Sequence, residues 1–114
     1  MTMNFDELPE FQKELKRLAR KYKSLPDDLQ EFRNVVSAVP PGNSKHFKII
    51  TKTETLYIVK ARLFCRYLKG LSMRVIYAYF AQNLRIEFIE LYDKGDKENE
   101  DHGRIQEYLI NHQS

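Results

Sequence analysis

The stretch that decides the fold runs from Thr55 to Glu100 and reads TLYIVKARLFCRYLKG (55–70), LSMRVIYAYFAQN (71–83) and LRIEFIELYDKGDKENE (84–100). Each of its three pieces is rich in Ile, Val, Phe, Tyr and Leu, a composition typical of β-strands. Turn-like segments at 69–70 (Lys-Gly) and 81–83 (Ala-Gln-Asn) separate them, as hairpin connections would. The stretch therefore predicts three consecutive strands of an antiparallel meander.

Charge is distributed one-sidedly along this stretch. It holds no acidic residue between Thr55 and Ile86, but it holds six cations: Lys60, Arg62, Arg66, Lys69, Arg74 and Arg85. Alternation along the first strand predicts an apolar face of Tyr57, Val59, Ala61, Leu63 and Cys65. The other face carries Ile58, Lys60, Arg62, Phe64 and Arg66. We expect helices to cover the apolar face and the basic face to remain for water or a ligand.

Two amphipathic helices are predicted before the strands. Apolar residues recur at helical spacing from Leu8 to Tyr22 and again from Leu25 to Val39. Proline suits the first turn of each helix, and Pro-Pro-Gly at 40–42 ends the second. The short link between them predicts an antiparallel helical hairpin. A short C-terminal helix is predicted at about 102–111, which completes an α+β fold. Segments 1–6 and 43–54 leave strand and irregular chain as open alternatives, so we expect a meander of three or four strands.

Size and composition limit the class of protein. With 114 residues, we expect one domain spanning 1–114. A net charge of +3 permits a polyanionic partner without requiring one. A single cysteine excludes an internal disulfide, and three widely spaced histidines form no metal-binding pattern. We therefore expect no metal and no cofactor. Without a signal peptide or a run of membrane-spanning length, we expect a cytoplasmic protein with no membrane contact.

With this order laid out, the chain resembles the RelE/ParE superfamily of bacterial toxins from type II toxin–antitoxin systems. Three pieces carry the resemblance: FQKELKRLARKYKSLPDDLQEF (11–32), KGLSMRVIYAYF (69–80) and IEFIELYDKGDKENEDHGRIQEYL (86–109). They resemble the family's basic helical hairpin, its central strand with a leading arginine, and its last strand, polar loop and C-terminal helix. Segment 43–54 has no counterpart in the resemblance.

The resemblance implies a small toxin that is neutralised by a cognate antitoxin protein. RelE-like members cut messenger RNA on the ribosome without a metal, so this reading implies an endoribonuclease (an mRNA interferase) that inhibits translation. ParE-like members inhibit DNA gyrase instead. The alternative is thus a ParE-like or degenerate member that acts by protein binding alone, through gyrase inhibition or antitoxin binding. Fold likeness does not choose between them, because function resides in the site that the fold carries.

Metal-free RNA cleavage needs cations to stabilise the scissile phosphate, and arginine binds phosphate oxygens in a bidentate fork. The resemblance implies catalytic roles for Arg74, Arg66, Lys94 and Lys97. Arg74 matches the arginine at the start of the family's central strand. Its structural alternative is an ion pair with a carboxylate such as Glu90. Aspartates beside the two lysines equally suit a structural turn.

The wider RNA-binding set is predicted to be Lys60, Arg62, Lys69, Tyr92, Lys16 and Arg20. Tyr92 would stack on a base, although a tyrosine at a strand end commonly faces the core. The cations of the first helix would bind RNA through nonspecific contacts, or form an ordinary solvated face in which Glu10 and Glu14 pair one turn on. The chain departs from the best-characterised RelE pattern. It has arginines where that pattern has paired lysines, and it has no matching C-terminal tyrosine.

Overall fold

A computed structural model describes residues 3–38, 46–65 and 72–112. Its elements in chain order are β1 (Asn4–Glu7), α1 (Pro9–Lys21), α2 (Leu25–Ala38), β2 (Phe47–Lys52), β3 (Tyr57–Phe64), β4 (Ser72–Phe80), β5 (Arg85–Asp93) and α3 (His102–Asn111). The predicted α+β class, the helical hairpin and the C-terminal helix are confirmed. The predicted connections at 40–42 and 69–70 lie outside the described residues.

All five strands belong to one sheet with the order β1-β5-β4-β3-β2. Strands β2 to β5 form the predicted antiparallel meander, which has four strands, the larger of the two expected numbers. β1 pairs in parallel with β5, so the sheet is mixed rather than purely antiparallel. The two segments that the sequence left open, 1–6 and 43–54, thus contribute the two edge strands.

The helical hairpin covers one face of the sheet, which we call the hairpin face. The apolar stripes of α1 and α2 pack there against the alternating apolar residues of β3, as predicted. Its centre includes Phe11, Leu18, Leu29, Val59, Leu63 and Tyr77, all with 2% or less of their surface exposed. Each such side chain stabilises the fold by about 1.5–3 kcal/mol through burial.

The opposite face, which we call the α3 face, is only partly covered. Helix α3 packs Ile105 and Tyr108 against a second cluster that includes Ile58, Ile76 and Ile89. The register between β4 and β5 shifts there, since Ile76 pairs with Glu90 whereas Tyr77 pairs with Phe88. One extra residue in β5 forms a β-bulge. Because cross-strand partners share a face, the bulge places Glu90 on the α3 face.

Polar contacts hold α3 in place. The Asp101 carboxylate accepts a hydrogen bond from the Arg104 N–H at 3.0 Å and caps the helix. The Arg104 guanidinium donates to both carboxylate oxygens of Glu14 at 2.9 and 3.0 Å and to the Ile89 carbonyl at 2.9 Å. Glu14 thus pairs with α3 rather than with a cation one turn on in α1. One arginine ties together α1, β5 and α3.

Candidate functional site

Two arginines face each other on the α3 face. Arg62 of β3 pairs directly with Arg74 of β4, and Arg74 pairs in turn with Tyr92 of β5. Arg74 is 9% exposed, whereas Arg62 is exposed. Like charges placed directly opposite across two strands destabilise a sheet. An anion between the two guanidinium groups would offset this repulsion, so the pair suits an anion-binding site.

A cavity of about 210 Å³ opens beside the arginine pair, and we call it the cationic pocket. Basic side chains reach it from β2, β3, β4 and the segment after β5, with one histidine preceding β2. They are His46, Lys48, Lys60, Arg62, Arg74 and Lys94. Four residues that the sequence singled out, Lys60, Arg62, Arg74 and Lys94, are therefore brought together.

Electrostatics in the pocket favour a bound anion. Burial lowers the pKa of Arg74 below its ordinary value, and the neighbouring Arg62 guanidinium lowers it further. Arginine remains charged at neutral pH despite such a shift. The two guanidinium groups therefore repel each other, and a phosphate between them would reduce that repulsion.

A carboxylate at the margin holds Lys60. The Lys60 ammonium donates a hydrogen bond to Glu100 Oε1 at 2.9 Å. Burial acts to lower the pKa of Lys60, but the interactions with Glu100 and Tyr92 together outweigh burial, so the pKa is raised. Burial likewise acts to raise the pKa of Glu100, and the Lys60 contact outweighs it, so that pKa is lowered. Both groups are charged at neutral pH.

Lys94 owes its position to a turn that Asp93 organises. The Asp93 carbonyl accepts hydrogen bonds from the N–H groups of Asp96 and Lys97, and its carboxylate accepts one from Gly95 at 2.9 Å. The buried Tyr22 hydroxyl donates to the same carboxylate at 2.8 Å and anchors the turn to α1. The exposed Lys94 projects from this turn and lines the pocket.

Lys97 lies elsewhere, in a structural contact. Its ammonium forms an ion pair with Glu90, which has no exposed surface and also accepts a hydrogen bond from the Asp101 N–H at 2.9 Å. The ammonium sits 5.3 Å from the centre of the Tyr92 ring. The structural alternative, in which Lys97 holds the turn, fits this geometry better than the predicted catalytic role.

Tyr92 faces the core, which is the alternative that the sequence left open for a tyrosine at a strand end. Its ring is therefore not exposed for stacking on a base. It is 3% exposed and belongs to the cluster under α3. Its hydroxyl is buried and forms no well-aligned hydrogen bond with the described residues. Burial raises the pKa of Tyr92, and the nearby Lys60 ammonium opposes that rise.

Two of the remaining predicted residues are not brought to the pocket. Lys16 and Arg20 are exposed on α1, on the opposite side of the sheet. Arg66 and Lys69 lie outside the described residues, so their predicted roles stay predictions. Glu90 is engaged by Lys97 and Asp101, and its strand partner is Ile76 rather than Arg74.

Sequence reasoning missed His46 and Lys48 as pocket residues. Both lie in segment 43–54, where strand and loop were open alternatives. Lys48 pairs with Lys60 across β2 and β3 and thereby shares the α3 face. Lys48 and Ile50 alternate with Phe47 and Ile49 in the sequence, which is a signal for a strand. Only the pairing with β3 shows which face of the sheet each residue occupies.

None of the helices in the described ranges combines the length and hydropathy that a membrane crossing requires. Residues 3–38, 46–65 and 72–112 also hold no cluster of three or more His, Cys, Asp or Glu side chains placed to bind a metal ion.

Comparison with solved structures shows the fold. A chain from the crystal structure of the archaeal RelE–RelB complex of Pyrococcus horikoshii OT3 superimposes with a TM-score of 0.63 at 23% identity, over 83% of this chain and 98% of that one. The E. coli toxin RelE, solved in the free state as a double arginine-to-alanine mutant, superimposes with a TM-score of 0.61 at 14% identity, over 99% and 100%. No protein-family model and no curated protein sequence matches the chain. The chain therefore has a RelE-like fold.

Proposed function

We propose that this protein is a RelE-like toxin of a type II toxin–antitoxin system, acting as a metal-free endoribonuclease on messenger RNA in the ribosome. One observation carries the proposal. A RelE-like fold brings Arg62, Arg74, Lys60 and Lys94 from three separate elements around one pocket. Such convergence of cations suits a phosphodiester better than a protein surface, because phosphate contacts are made by clustered lysines and arginines.

The chemistry assigned to the pocket is transesterification at a phosphodiester. The ribose 2′-hydroxyl loses its proton and attacks phosphorus, and the bond from phosphorus to the 5′-oxygen breaks as that oxygen gains a proton. Negative charge grows on the non-bridging oxygens in the transition state. Arg74, held by burial, and Arg62, opposite it, would donate to those oxygens. Lys60 and Lys94 would add positive charge at the margins.

An antitoxin is the proposed protein partner. The fold's neighbour from P. horikoshii was crystallised as a RelE–RelB complex. In this chain Val35, Ile49 and Phe64 are large apolar side chains that are 47–62% exposed. Exposed apolar residues beside a basic pocket suit a partner segment that covers both.

The test is induced expression in a bacterial host with mapping of messenger RNA 5′ ends. We expect growth arrest and new cuts within translated codons. Arg74→Ala should reduce cleavage by about 10²–10³-fold, the usual effect of removing one transition-state donor. Lys52→Ala is the matched control, because Lys52 is an exposed cation of the same sheet that lies over Tyr57 on the hairpin face. It should retain full activity.

Two results would contradict the nuclease proposal. Cleavage that persists in a folded Arg74→Ala variant would remove the pocket from the mechanism. Growth arrest with intact messenger RNA would favour the alternative of a ParE-like or degenerate member, and gyrase inhibition would then be assayed directly. If the folded protein did not arrest growth, the proposed toxin function would be refuted and only the RelE-like fold would remain.

A further inference from the structure

A second cavity adjoins the cationic pocket. It measures about 280 Å³, and we call it the aromatic groove. His46, Phe47 and Arg62 line both cavities, so the two are neighbours that share these three residues. The groove is completed by residues of α2 and by Phe64 at the end of β3. A ligand held by its charge in the pocket therefore has an apolar surface within reach.

Aromatic rings dominate the groove. The Phe32 and Phe47 rings stack with their centres 6.1 Å apart, and the His46 ring meets Phe64 edge to face at 5.3 Å. Phe64 is 62% exposed and Val35 is 50% exposed, although both are large apolar residues. An exposed phenyl ring beside the cationic pocket offers a stacking surface for a flat ring.

The charges around the groove are opposite in sign to those of the pocket. Two carboxylates of α2, Asp28 and Glu31, lie in its lining. Asp28 is 4% exposed and accepts a hydrogen bond from the Ser24 hydroxyl at 2.6 Å, whereas Glu31 is exposed. Ionised carboxylates only accept hydrogen bonds. The exposed Glu31 would repel a second phosphate but accept N–H groups of a neutral ring, and a nucleobase meets both conditions.

We propose that the aromatic groove is a nucleobase subsite for the nucleotide whose phosphate occupies the cationic pocket, with guanine as its preferred base. This rests on the proposed function and names the part of the substrate that the pocket alone does not select. Phe64 stacks on the base, and Glu31 accepts the ring N–H and amino group that guanine presents on one edge. A nucleotide joins its phosphate and base through one ribose, which is the arrangement that two adjoining cavities require.

Binding measurements separate the base from the phosphate. GMP, UMP and ribose 5-phosphate would be titrated into the purified full chain at fixed ionic strength, with amide shifts followed by NMR. We expect GMP to bind at least about fivefold more tightly than ribose 5-phosphate, the lower end of base–aromatic stacking. Phe64→Ala should remove this advantage and leave ribose 5-phosphate affinity unchanged. Since Phe64 is exposed, the variant should keep the fold.

Two further variants assign the roles. Glu31→Gln should reduce the preference for GMP over UMP, because an amide offers only one acceptor oxygen to the base edge. Arg74→Ala should weaken all three ligands by the same factor, because each carries the same phosphate.

Every other outcome overturns a specific part of the proposal. Equal affinities for GMP and ribose 5-phosphate, or a GMP advantage that survives Phe64→Ala, would refute the base subsite and leave the phosphate pocket standing. Failure of all three ligands to bind would refute the pocket, and the proposed function with it. Groove shifts on adding an apolar peptide, with none on adding GMP, would refute the base subsite and leave the groove to the proposed antitoxin alone.

Discussion

The opposition of Arg62 and Arg74 predicts that removing one arginine stabilises the protein. Directly opposite residues of an antiparallel pair have Cβ atoms about 4.5–5.5 Å apart, and these two share one row. Two unit charges about 6 Å apart repel by roughly 0.7 kcal/mol in water, and by more where the medium is less polar. Arg62 is exposed, so the effect should lie near that lower value. We expect Arg62→Gln to stabilise the fold by about 0.5–1 kcal/mol.

The repulsion between Arg62 and Arg74 is tested by varying the salt concentration rather than the pH. The pKa of Arg74 is lowered by burial and by Arg62, but arginine stays protonated near neutral pH in both the folded and unfolded chain. The repulsion is therefore constant with pH there and is screened by salt. Denaturation would be measured at low ionic strength and again in about 1 M salt, where the Debye length falls to about 3 Å.

The expected result is a rise in Tm of about 2–5 °C for Arg62→Gln at low ionic strength, most of which disappears in high salt. Lys52→Gln removes a cation from the hairpin face of the same sheet and should change stability by less than about 0.5 kcal/mol. Inorganic phosphate should stabilise the natural chain more than Arg62→Gln. An Arg62→Gln protein that is less stable than the natural chain at low ionic strength would refute the reasoning.

Two further predictions concern the segment that links β5 to α3. Asp101→Ala should cost about 1 kcal/mol at neutral pH, the usual value for losing a helix cap. The hydrogen bond from the Arg104 N–H lowers the pKa of Asp101 below its ordinary 3.8, so denaturation titrations should show that this cost is complete above pH 3.8 and disappears as the pH falls through the lower folded value. Lys97→Met should cost about 2–3 kcal/mol, because it leaves the fully buried Glu90 without its cation. Lys94→Met, an exposed neighbour, should leave the denaturation midpoint unchanged but reduce RNA cleavage, and equal stability losses in the two variants would contradict the division of roles.

Local sequence patterns were sufficient to predict the helical hairpin and the apolar residues of the sheet face that it covers. The alternation from Tyr57 to Cys65 identified the residues that pack under the helical hairpin, and helical spacing located α1 and α2. These patterns work because each depends on neighbours within a few positions along the chain. The basic character of the other face was also correct for Arg62 and Arg74.

Contacts that form only in the folded chain give the two lysines of the last loop different roles. Lys94 and Lys97 each directly follow an aspartate, so their immediate sequence surroundings do not distinguish them. The β-bulge in β5 turns Glu90 to the α3 face, where it binds Lys97 and leaves Lys94 for the pocket. A bulge adds one residue to one strand, and hydrophobic periodicity alone does not reveal it.

The sequence by itself determined an α+β domain with a helix-covered apolar sheet face, a basic second face and an arginine at the start of the central strand. Only the tertiary structure decided that β1 runs parallel to β5, that Arg62 opposes Arg74 and that Lys48 and His46 join them. Strand order and register come from pairing between residues far apart in the chain. Composition and local spacing do not specify which strands pair with each other.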